Sequence, residues 1–170
     1  MSDGWIPDEE WEHIQHVLPI VCVDVLAVRH AAPTDRLAEV GLIWRHTPDR
    51  GPRWCLIGGR VRYGESIHAA VTRHVRDTLG DEVQFDVSRW REPLFVAQYA
   101  PTAREGFLHD PRKHAVALTY ALDVVGAPAP QNEALDFRWF PVDQLPPSGD
   151  FGFGQDRVVA ACMDRLQART

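Results

Sequence analysis

Cysteine is scarce in this 170-residue chain, and Cys22, Cys55 and Cys162 are far apart, odd in number and set among apolar neighbours. Such spacing supports neither a disulfide framework nor a zinc site, and the residues read as buried thiols of a reducing cytosol. Long apolar runs are also missing. None approaches the roughly 20 residues needed to span a bilayer. The N-terminus lacks the basic start and apolar middle of a secretory signal and carries Ser2, Asp3, Asp8, Glu9 and Glu10 instead. Positive charge is in deficit, with 18 Lys and Arg against 24 Asp and Glu. The resulting net charge of −6 argues against general binding to nucleic acid or anionic membranes, yet leaves room for a local basic pocket. Internal repeats, low-complexity tracts and linkers are absent, so one domain over residues 1–170 is expected, in the cytoplasm.

The remainder has an ordinary globular composition, 45% hydrophobic and 25% charged. Residues 6–17 predict a short amphipathic helix. Pro7 suits its first turn, the acids Asp8, Glu9 and Glu10 suit the positive end of its dipole, and Trp11, Ile14 and Leu18 recur at helical spacing. Strands are expected at 20–28, 40–44, 54–57, 83–87, 94–99, 115–125 and 137–140. Loops are expected at 31–36, 47–53 and 126–132, and a long polar insertion at 100–112 is placed to cover a pocket. Ile67, Val71, Val75 and Leu79 repeat every four residues on a helix over 65–79, with Gly80 closing it. A last helix covers 156–169, with Val158, Ala161, Cys162 and Leu166 on one side. A mixed sheet with helices on both faces is the economical α/β arrangement.

Residues 59–80 carry the most information. Gly59, Glu65, Arg73, Val75 and Gly80 fall on the marks of G-x5-E-x7-R-E-U-x-E-E-x-G-U, the Nudix box that grips a diphosphate. Where the box has R-E-U-x-E-E, this chain has Arg73-His74-Val75-Arg76-Asp77-Thr78. The flanks follow in order: Pro19 and a strand bearing Asp24, Arg45 ending the second strand, Gly58-Gly59-Arg60-Val61, a loop bearing Glu133 before Arg138-Trp139, and a helix beginning near Arg157. The chain resembles the Nudix hydrolases, with a degenerate box, and within them the GDP-mannose mannosyl hydrolase branch. That resemblance implies a Nudix-type α/β/α sandwich and a divergent hydrolase of a nucleoside diphosphate sugar or related derivative, dependent on Mg2+ or Mn2+ if active. The alternative is an inactive Nudix-fold module binding a nucleotide-type ligand or a protein partner. It also implies a homodimer, with the N-terminal helix of 1–18 docking on a second copy through Trp11 and Ile14.

The resemblance assigns site residues one by one. Magnesium wants oxygen ligands in tight octahedral geometry, and the metal set becomes the Gly58 carbonyl, Asp77 and Glu133. Asp77 is the one carboxylate left on its helix turn; a salt bridge with Arg73 is its other reading. Thr78 stands where the branch keeps a glutamate ligand, and Ala134 where it keeps a histidine base. His74 replaces a catalytic glutamate and, with Asp77, makes up the candidate catalytic pair; a hydrogen bond to Asp77 is the alternative for its imidazole. Asp24, Arg45, Arg60, Arg73 and His114 are the candidate substrate contacts, the arginines because guanidinium forks suit diphosphate oxygens. Glu65 reads as a structural acid. Trp44 and Trp90 are candidates to line a nucleotide pocket, with core packing the commoner use of tryptophan.

Overall fold

The computed structural model describes residues 6–88 and 92–168. Its elements are α1 (Asp8–Val17), β1 (Ile20–Ala31), β2 (Arg36–Thr47), β3 (Gly51–Cys55), β4 (Ile57–Arg60), α2 (Ile67–Leu79), β5 (Phe95–Ala100), β6 (Leu108–His109), β7 (Ala115–Asp123), β8 (Asp136–Pro141) and α3 (Asp156–Gln167). One eight-stranded mixed sheet runs β3-β2-β1-β7-β5-β6, with β4 paired to β1 and β8 to β2. Strand β1 is its axis. It runs parallel to β7, and it is antiparallel to β4 along Cys22–Val25 and to β2 along Ala27–Ala31. That split opens a wedge between β4 and β2 at the middle of the sheet.

Both faces of β1 are covered, which explains its unbroken apolar run. Leu26, Val28, Leu42 and Leu94 pack with Val158, Val159, Cys162 and Leu166 of α3. Val23, Val25, Ile43 and Ile57 pack with Val71, Val75 and Leu79 of α2. Each such side chain contributes about 1.5–3 kcal/mol on burial. The α/β/α sandwich is therefore the observed architecture. The three cysteines are free and buried. Among the described residues, no helix is long and apolar enough to cross a membrane.

Several expectations shift. Helix α2 begins at Ile67 rather than 65, because Ser66 caps it by accepting from the Ala69 N–H, which frees Glu65 for another partner. The segment 83–87 is reduced to a single bridge, Gln84 with Val125. Residues 51–53, expected as loop, form a hairpin strand against β2. Leu18 lies beyond the end of α1 and is exposed. In α3 the buried stripe uses Val159 rather than Ala161. Trp11 and Ile14 pack partly buried against the core of their own chain. Trp90 and Arg169 lie outside the described residues.

Candidate functional site

The turn between β4 and α2 is tightly built. An added Cβ at Gly58 would lie 2.2 Å from the Val23 carbonyl oxygen and 2.6 Å from Asp24 Oδ1. At Gly59 it would lie 2.6 Å from His74 Cε1. The two glycines let β4 press against β1 on one side and α2 on the other. Glu65 then ties the turn down. It accepts from Arg73 Nε at 2.7 Å and Arg73 NH2 at 2.8 Å, and from the Arg62 N–H at 2.9 Å. The same Arg73 NH2 donates to the Arg60 carbonyl at 3.1 Å, and His74 Nε2 donates there at 3.2 Å. The Arg73 hydrogen bonds hold the Glu65 carboxyl down at about 2. Burial, then the neighbouring Arg73 charge, lowers the His74 imidazole below its ordinary value. A neutral His74 thus braces the loop backbone, and Glu65 is the structural acid expected of it.

Arg73 pairs with Glu65, so the salt bridge considered between Asp77 and Arg73 is not formed. His74 bonds to the Arg60 carbonyl rather than to Asp77. The Asp77 side chain is exposed, and its carbonyl accepts from the Asn132 side-chain amide. Thr78 is buried. Ala134, where the branch keeps its base, is buried beside the α2 core.

The wedge between β4 and β2 is a cleft. Asp24 of β1, Arg45 of β2, Gly58 and Gly59 of β4, and Tyr99 of β5 line it, with Arg112 and Lys113 closing one side. Burial pushes the Asp24 carboxyl up to about 7, against the opposing pull of the Tyr99 hydroxyl and of Arg45 and Lys113. Tyr99 donates to Asp24 Oδ2 at 3.4 Å, and Gln155 Nε2 donates to the Tyr99 oxygen at 3.4 Å. Gln155 is itself fixed by accepting from the Leu56 N–H at 2.9 Å. Arg45 NH1 meets Glu133 Oε2 at 2.7 Å. Burial nonetheless raises the Glu133 carboxyl, with Arg45 opposing. Arg112 grips Asp110 through Nε and NH2, both at 2.9 Å. Lys113 makes no hydrogen bond or ion pair among the described residues, and its Nζ faces the Trp11 ring at 5.6 Å.

The predicted residues therefore fall into separate groups. Asp24, Arg45 and Gly58 share the cleft, with Glu133 attached through Arg45. Arg60, Arg73 and His74 belong to the braced turn. Asp77 does not line the cleft, and its charge acts on Arg73 and His74 of the braced turn without a bond to either. His114 lies in a neighbouring groove with Pro19, Arg104 and Arg112, its ring against Phe107 at 5.5 Å. Trp44 packs on Trp54 at 5.0 Å. Tyr99, Arg112, Lys113 and Gln155 were not anticipated. The charged run Asp110–Lys113 at the end of the polar insertion was the available signal for two of them; Gln155 had none, because it reaches the cleft from the start of α3.

A divalent ion fits this set poorly. Glu133 is committed to Arg45, Asp77 is exposed outside the cleft, and no three His, Cys, Asp or Glu side chains cluster as metal ligands among the described residues. Magnesium demands near-octahedral oxygen, which these residues do not present together.

Comparison with known proteins agrees with the fold. A possible asymmetric diadenosine tetraphosphate hydrolase from Jonesia denitrificans superposes with a TM-score of 0.81 at 29% identity, over 88% of this chain and 96% of that one. A MutT NUDIX hydrolase from Burkholderia pseudomallei superposes at 0.62 with 20% identity, over 88% and 98% of the two chains. The NUDIX domain of Shewanella oneidensis NrtR, solved with ADP ribose, gives 0.59 at 16% identity, over 95% and 99%. The fold is that of the Nudix hydrolases. A search of curated proteins finds no match. The family model described as domain of unknown function DUF4916 matches residues 1–163, and the chain belongs to that family.

Proposed function

We propose that this chain is a Nudix-fold module that holds a nucleoside diphosphate derivative in the cleft between β4 and β2. The charge of the cleft carries the reading. Arg45, Arg112 and Lys113 face it, and Lys113 forms no close ion pair among the described residues. A diphosphate supplies the oxygens that such donors take in parallel pairs. At the floor, Asp24, pushed up to about 7, is substantially protonated at neutral pH and able to donate to a sugar or phosphate oxygen. The relative solved with ADP ribose supports this ligand class. The test is a thermal-shift and calorimetric panel of nucleoside diphosphate sugars, run with chelator and again with magnesium. Binding in chelator that is lost in Arg45→Gln is expected. A panel without any binding in either condition removes the reading.

A second reading, hydrolysis of that ligand, draws on the same carboxyl. A group that changes protonation near neutral pH suits acid–base chemistry. Nucleotide release that fails in Asp24→Asn would establish it. Loss on Asp77→Ala instead would return the reaction to the metal set of Gly58, Asp77 and Glu133. The mannosyl hydrolase substrate class and the homodimer belong to this proposal as well, the dimer being tested by sedimentation of the chain with and without residues 1–18.

A further inference from the structure

Helix α1 reaches a cation of the cleft, Lys113, through one side chain. The Trp11 ring carries the Arg60 guanidinium at 4.1 Å and faces the Lys113 ammonium at 5.6 Å. One cation comes from the last residue of β4 and the other from the segment leading into β7, so the indole joins two parts of the sheet that are distant in sequence. Trp11 packs against the core only in part, and α1 has no fully buried residue. A ten-residue helix is marginal by itself. Its place is held by Trp11, Ile14 and these cations.

We propose that Trp11 is a positioning residue for the cleft: it aims Lys113 at an anionic ligand without adding a carboxylate to cancel its charge. The physical reason lies in the difference between the partners a cation can have. Arg45 and Arg112 are positioned by the carboxylates of Glu133 and Asp110, and each pair is close to neutral. An aromatic face attracts a cation through its quadrupole and leaves the full positive charge available. Lys113 is flexible, with a four-carbon stem that loses rotamer freedom on being ordered. A ring that orders it beforehand removes that cost from ligand binding. The N-terminal helix is then part of the ligand site. The inference rests on the anion-binding reading of the cleft, though not on the nucleotide part of it.

Inorganic pyrophosphate is the probe, titrated by calorimetry into the full chain and into Trp11→Leu, Trp11→Phe and Lys113→Gln. Leucine keeps apolar packing and removes the ring; phenylalanine keeps a ring. Trp11→Leu is expected to bind about 3- to 10-fold more weakly, the size of a cation–π contact at a partly exposed site. Trp11→Phe should recover most of that loss. In the Lys113→Gln background Trp11→Leu should cost much less, because most of the coupling is gone. Unliganded melting temperatures of the two Trp11 variants, compared with affinity, separate positioning from folding. Equal affinity in wild type and Trp11→Leu overturns the inference, as does a loss in Trp11→Phe as large as in Trp11→Leu. Pyrophosphate that does not bind wild type overturns it together with the cleft reading. Pyrophosphate binding alongside a blank nucleotide panel sinks only the nucleotide assignment.

Discussion

Arg73 and Glu65 are joined by parallel hydrogen bonds of 2.7 and 2.8 Å, and the same arginine reaches the Arg60 carbonyl at 3.1 Å. The pair fixes the turn that follows Gly58 and Gly59 of β4. Its acid is held at about 2 against an ordinary 4.5, chiefly by the Arg73 hydrogen bonds. A depressed carboxyl contributes stability that is complete above the unfolded value and lost as pH falls through the folded one. Urea denaturation of wild type should therefore show falling stability from about pH 4.5 toward 2. In Glu65→Gln that acid-sensitive component should shrink, and stability at pH 7 should drop by roughly 1–3 kcal/mol, the cost of leaving charged donors unsatisfied.

Asp24 predicts the opposite slope. Its folded value is raised from 3.8 to about 7 by burial. The contribution of such a group is complete below the unfolded value and is lost as pH rises through the folded one. Asp24→Asn should thus gain in melting temperature relative to wild type between pH 5 and pH 8. A difference that stays constant across that range would show that the carboxyl does not titrate there.

Gly59 and His74 are coupled by contact. Gly59→Ala places a methyl group 2.6 Å from His74 Cε1 and should destabilise the chain by about 1–3 kcal/mol, as overpacking does. In a His74→Ala background the added methyl has room, so the same substitution should cost clearly less. A double-mutant cycle in urea measures the coupling. The result also tests His74 as a brace.

Asp77 should be nearly silent in stability. Its side chain is exposed and outside the cleft. Asp77→Ala should change unfolding free energy by no more than about 0.5 kcal/mol, the usual range for such surface sites. Ligand affinity in chelator should be unchanged. Arg45→Gln, by contrast, strands Glu133 without its partner and should weaken both stability and ligand binding.

Local pattern made much of the molecule legible. The stripe Val71, Val75 and Leu79 faces the core as spacing required, and Gly80 ends the helix by turning left-handed. The spacing of Glu65 to Arg73 preserved a contact that the structure forms directly. Less legible were interactions whose partners are far apart in sequence. Arg45 meets Glu133 only because β8 returns beside β2, which sets the loop before β8 near the cleft. Gln155 reaches Tyr99 from another layer. The motif placed Asp77 and His74 together in the chemistry; which neighbours they meet was set by the fold, which leaves Asp77 exposed and packs the His74 ring on Gly59.

Periodicity and glycine placement by themselves determined the helices and the turn before α2, and the box residues carried the resemblance that implies a Nudix-type sandwich. They suffice because helix period and turn geometry are local properties of the chain. Tertiary structure alone decided which charges meet. It paired Arg45 with Glu133 and Arg112 with Asp110, raised Asp24 by burying it, and set Lys113 against Trp11. Ion pairing and desolvation depend on distance in space, and the strand order of the sheet sets that distance.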